Sequence, residues 1–112
     1  MNLKKLRAHL LAKEGAYEDF PFGIDVLTAK VNGKIFALVA LEAKPLWINL
    51  KCEPFLAMEL RERYSSIIPG YHMNKVHWNT IILDGEVPDG EVKRLIDMSY
   101  ELVVKKGGKK KR

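Results

Sequence analysis

Two β-rich runs, Val26 to Val31 and Lys34 to Leu41, are separated only by Asn32-Gly33. A type I′ turn needs φ > 0 at both central residues, which Asn and Gly tolerate best, and its twist matches that of the strands it joins. The chain is therefore committed to an antiparallel hairpin at this point. A two-residue loop sets the register, with Ala29 opposite Phe36 and Leu27 opposite Leu38. These side chains then share one face with Val31, the face expected to meet helices, and Thr28 and Lys30 take the other.

The flanking sequence supplies those helices. Residues 2–14 read as a helix capped by Asn2, with Leu3, Leu6, Leu10 and Leu11 as its apolar stripe and Gly15 as its stop. The segment Glu18-Asp19-Phe20-Pro21-Phe22-Gly23 fits a bent extended entry whose rings cover an edge of the core. After Lys44-Pro45, the run Leu46 to Lys51 alternates, with Leu46, Ile48 and Leu50 inward and Trp47, Asn49 and Lys51 outward. Pro54 suits the first turn of a second helix reaching Tyr64, its Leu56, Ala57, Leu60 and Tyr64 inward and its Glu59, Arg61 and Glu62 solvated. Trp78 to Leu83 reads as a further strand, with a short one at Ile67-Ile68, and Asp84-Gly85 closes the pair. Asp89 caps a last helix carrying Val92, Leu95, Ile96, Ser99, Leu102 and Val103 on one stripe. The order is helix, three strands, helix, two strands, helix. This predicts a two-layer α+β domain over residues 1–104, its antiparallel sheet covered by helices on one face and open on the other.

The formal charge of +5 suggests a polyanion partner, but its distribution does not. Six of the 19 basic residues lie in residues 105–112, leaving 13 in residues 1–104 against 14 acidic groups. The folded body is near neutral, and the terminal lysines form a basic tail expected to be disordered. The apolar run after Lys4, Lys5 and Arg7 is broken by Lys13 and Glu14 before it reaches the length of a signal-peptide core. With Cys52 the lone cysteine, no internal disulfide forms, and a soluble cytoplasmic protein is expected.

The stretch from Pro69 to Thr80 concentrates recognition chemistry: Tyr71, His72, Asn74, Lys75, Trp78 and Asn79, with Trp47, Asn49 and Lys51 adjoining on the open face. Rings stack on unpaired bases, amides read base edges and a lysine meets a phosphate, so nucleic-acid contact is one reading. The bland reading makes Tyr71 and Trp78 wedges, with the asparagines satisfying backbone groups in a turn. His72 and His77 match no standard zinc spacing, so no metal or other cofactor is expected. Cys52 precedes a helix start, where a dipole lowers a thiol pKa, but a lone cysteine is more often a small buried residue. There is no phosphate loop, no nucleophile elbow and no carboxylate pair, and Asp84 and Glu86 read as solvated loop residues. No enzyme is indicated.

Several blocks together carry a family resemblance: Phe20-Pro21-Phe22-Gly23, Val31 with Gly33-Lys34, Phe36-Ala37-Leu38, Asn49-Leu50-Lys51 followed by Pro54, Gly70-Tyr71-His72-Met73-Asn74-Lys75, Trp78-Asn79-Thr80 and Ser99-Tyr100. The sequence resembles the MmcQ/YjbR family from its first helix to about Val104. The resemblance implies a fold akin to secretion chaperones and frataxin. It also implies a proposed double-wing DNA-binding role, with Tyr71, His72, Asn74, Lys75, Trp78 and Asn79 as motif residues and Asn49 and Lys51 alongside. Two readings result. One is a non-catalytic DNA-binding or regulatory module aided by the basic tail. The other is a partner-protein or small-ligand module that uses the open sheet face with Trp47 and Trp78 as anchors.

Overall fold

In the computed structural model the backbone is described for residues 1–108 and side chains through Lys105. The elements are α1 (Leu3–Leu11), β1 (Tyr17–Asp19), β2 (Val26–Val31), β3 (Lys34–Ala40), β4 (Trp47–Lys51), α2 (Pro54–Arg63), β5 (Ile67–Pro69), β6 (Trp78–Ile82) and α3 (Asp89–Gly108). All strand pairs are antiparallel, in the order β1-β2-β3-β4-β6-β5. The fold is α+β, as the periodicity predicted. No described helix is long and apolar enough to cross a membrane. The helix α3 passes Val104 and includes Gly108, so Lys105 and Lys106 are helical, and residues 109–112 of the expected tail lie outside the described residues.

Local chemistry explains the element ends. The Asn2 side chain accepts from Lys5 N–H at 2.8 Å and opens α1, satisfying a donor that has no partner inside the helix. Pro54 starts α2, and Glu53 caps it by accepting from Leu56 N–H at 3.0 Å. Asn32 at φ 53° and Gly33 at φ 77° give the hairpin turn its two left-handed residues.

The sheet departs from expectation in two places. Tyr17–Asp19 forms an edge strand on β2, fixed by Thr28 Oγ1–H to the Asp19 carbonyl at 2.9 Å and a Lys30–Asp19 ion pair at 2.8 Å. The segment is three residues long and has no apolar rhythm, so its partner defines it. The hairpin register also shifts: Lys30 faces Ile35, but Ala29 faces Ala37 and Leu27 faces Val39, leaving Phe36 unpaired in a β-bulge. Phe36 and Ala37 are both fully buried in the core as a result. Leu38, expected on the helix side, faces Thr28 and turns to the other face.

The core joins Leu6 and Leu10 of α1, Ala57 and Leu60 of α2, and Val92, Leu95, Ile96 and Val103 of α3 to Leu27, Ala29, Val31, Phe36, Val39, Ile48, Leu50 and Ile81 of the sheet. Ser99 of α3 accepts from Lys51 N–H at 2.9 Å and donates to the Phe36 carbonyl at 2.6 Å, so it satisfies the bulge. Asp84 and Glu86 are exposed, as expected of loop residues, and also make structural hydrogen bonds. Ser66 Oγ donates to Asp84 at 2.7 Å and Ser66 N–H to Glu86 at 2.7 Å, and hydrogen bonding from Ser66, its hydroxyl foremost, holds both carboxyls below their ordinary pKa.

Candidate functional site

The strand registers lay two rows across the face opposite the helices. One runs Val26, Ala40, Trp47, Ile82, and the next runs Thr28, Leu38, Asn49, Thr80, Ile68. The segment after Gly70 folds over the second row. Met73 N–H donates to the Gly70 carbonyl at 3.2 Å, closing a turn in which His72 takes φ 61°, the left-handed third position of a type II turn. The turn lays the Tyr71 ring edge-on to Trp47, centroids 5.6 Å apart at 89°, and sets it 4.0 Å from the His72 ring at a tilt of 47°.

A cavity of about 370 Å³ opens between this turn and the sheet, lined by Phe22, Val26, Ile35, Leu38, Val39, Ala40, Trp47, Asn49, Tyr71, His72 and Met73. Its walls are aliphatic and aromatic, and no lysine, arginine, aspartate or glutamate is among them. Phe22, expected to cover the core edge, is 63 % exposed and lines the cavity instead.

The structure divides the nine sequence-derived candidates. Trp47, Tyr71 and His72 line the cavity. Asn49 does too, but it is only 2 % exposed, so it is a floor group rather than a projecting reader. Asn79 is a correction: it pairs with Leu50 on the helix side, is 3 % exposed, and donates to the Ala57 carbonyl at 3.3 Å. Adjacent strand residues face opposite ways, so Asn79 cannot share a surface with Trp78. Asn74 caps its own turn, its Oδ1 accepting from Val76 N–H at 2.9 Å and His77 N–H at 3.2 Å. Lys75 Nζ donates to the Gly70 carbonyl at 2.8 Å. Lys51 and Trp78 face each other at the far end of the open face, both half-buried.

Arg61 was missed. Expected to be solvated, it donates to Asn79 Oδ1 at 2.7 Å, to the Lys75 carbonyl and, at 3.4 Å, to the Trp78 carbonyl. It thereby ties the 74–78 segment to α2. The signal was available: Arg61 stands four residues after Ala57, one turn along the buried side of the helix. Arg61→Met leaves the buried Asn79 oxygen without its donor, and we expect a loss of about 2 kcal/mol in urea unfolding. A loss within about 0.5 kcal/mol would show the tie to be idle.

Cys52 is buried, and desolvation, followed by the charge of Glu53, pushes its thiol up to about 11, opposite to an activated nucleophile. Among the described residues, no group of three His, Cys, Asp or Glu side chains could hold a metal ion.

Helices on one sheet face and an apolar cup on the other, walled by the Tyr71-His72-Met73 turn, define a two-layer α+β domain. The family model described as YjbR matches residues 11–102. The chain belongs to the YjbR family. It is 36 % identical over 105 residues to Escherichia coli (strain K12) YjbR, covering 93 % of this chain and 88 % of that one. Bacillus subtilis YyaQ is 46 % identical over 55 residues, covering 49 % and 46 % of the two chains. A Deinococcus radiodurans protein with the DUF419 domain superposes at TM-score 0.91 with 39 % identity, covering 95 % of this chain and 80 % of that one. A Pseudomonas syringae structure superposes at 0.79 with 29 % identity, covering 91 % and 98 %.

Proposed function

We propose that this domain is a non-catalytic module that binds a small, mainly apolar molecule in the cup between the open sheet face and the Tyr71 turn, acting in the cytoplasm. The observation that carries this reading is the cup itself: at about 370 Å³ it falls within the range of small-ligand sites, and its lining is of the same kind. The motif's polar groups build that site. Asn74, Lys75 and Asn79 bond within the molecule, which leaves the double-wing DNA-binding reading with fewer donors for bases and phosphates than the sequence offered.

The test is a fluorescence titration with the neutral dye N-phenylnaphthylamine. A saturable rise is expected for the unaltered protein, and affinity weaker by about tenfold or more for Ala40→Trp, whose indole would occupy the cup. Labelled DNA is titrated in parallel. An Ala40→Trp affinity equal to the original would sink the proposal. Saturable DNA binding near physiological salt that Lys75→Ala removes would favour the DNA-binding module instead.

A further inference from the structure

One polar atom at the floor of the cup narrows the chemistry of its occupant. Tyr71 N–H donates to Thr80 Oγ1 at 2.8 Å, the Thr80 hydroxyl donates to Asn49 Oδ1, and Asn49 Nδ2 donates to the Tyr71 carbonyl at 3.1 Å. The three bonds form a closed ring. Reversing the Asn49 amide would set its oxygen against the Tyr71 carbonyl, so the ring fixes which end is the donor. An amide nitrogen carries two hydrogens. Only one of them has an acceptor among the described residues, although Asn49 is 2 % exposed and lines the cup. The Tyr71 carbonyl already satisfies the nitrogen through one hydrogen, and a ligand acceptor in the cup would add a bond through the second.

We infer that the cup takes an uncharged, ring-containing molecule with one carbonyl oxygen, such as a ring ketone or lactone, whose oxygen accepts from the second Nδ2–H of Asn49. This rests on the reading of the cup as a ligand site. The aliphatic floor of Leu38 and Ala40 and the edge-on pair Trp47 and Tyr71 suit a flat ring. Carboxylates and phosphates are disfavoured because no lysine or arginine lines the cup, so an anion would lose its hydration without a counter-charge.

Three probes of similar shape test this by NMR titration: methyl naphthyl ketone, isopropylnaphthalene and naphthoate. The ketone is expected to bind about tenfold tighter than the hydrocarbon, and naphthoate weakest. Asn49→Leu is expected to erase the ketone's advantage. Because that variant also breaks the ring holding the Tyr71 turn, the infrared carbonyl band of the ketone on the unaltered protein provides a second readout. It should lie at lower wavenumber than in hexane. Equal affinities for ketone and hydrocarbon, with the band at its hexane position, overturn the role of Asn49 and leave the cup as a ligand site. Naphthoate as the tightest probe overturns the neutral-ligand class. If none of the three binds, the ligand-site reading fails with it.

Discussion

Phe36→Ala is expected to remove about 4 kcal/mol of stability, measured as a shift in the urea unfolding midpoint with unchanged slope. Phe36 is fully buried, its ring meets Tyr100 edge-on at 5.3 Å and 83°, and its carbonyl accepts from Ser99 at 2.6 Å. Truncation loses the transfer free energy of the ring and leaves a void that the rigid sheet cannot close. For a domain whose whole stability is on the order of 5–15 kcal/mol, this is a large fraction. The consequence extends to the site. Phe36 is the extra residue of the bulge, and with it in the core Ala37 also points inward and Leu38 turns out to line the cup. If the β2–β3 pairing slipped to remove the bulge, Leu38 would return to the helix side and the cup would lose part of its floor. Amide exchange along Lys34–Ala40 in the variant would report such a slip. A loss below about 1 kcal/mol would mean that neighbouring side chains refill the space.

Gly70→Ala is expected to cost about 3 kcal/mol and to disorder the Tyr71 turn. A Cβ at this position would stand 2.7 Å from Trp78 Cβ, 3.0 Å from the Trp78 carbonyl oxygen and 3.1 Å from Met73 Cβ. None of these is the far end of a flexible side chain, so backbone must move, which is the costly form of overpacking. Any movement also lengthens the Gly70 N–H bond to the Trp78 carbonyl, now 2.9 Å, and unseats Tyr71 from Thr80. The variant should therefore lose dye binding along with stability. A Gly70→Ala protein with the original unfolding midpoint and dye affinity would show that the close approach of this turn to β6 is not needed to shape the cup.

The elements were legible where local chemistry decides them. Asn32-Gly33 announced the hairpin, Asn2 and Pro54 announced two helix starts, and alternation in β4 placed Trp47, Asn49 and Lys51 on one face. The same alternation could have separated Asn79 from Trp78, and the i+4 spacing from Ala57 could have turned Arg61 inward. Both signals were outweighed by the density of polar and aromatic residues between Tyr71 and Asn79. That density marked the turn that walls the cup but not which of its groups face the cup, because hydrogen-bonding capacity in a sequence does not say whether a partner lies inside or outside the fold.

Sequence alone therefore determined the family and the α+β class, since these follow from turn geometry, periodicity and motif. The tertiary structure decided the rest: the bulge at Phe36, the edge strand at Tyr17–Asp19, the internal commitment of Asn74, Lys75 and Asn79, and the apolar cup. Asn74 and Lys75 bond within their own turn, whereas the other features depend on contacts between separate segments, where packing the core and satisfying buried polar groups outweigh local preference.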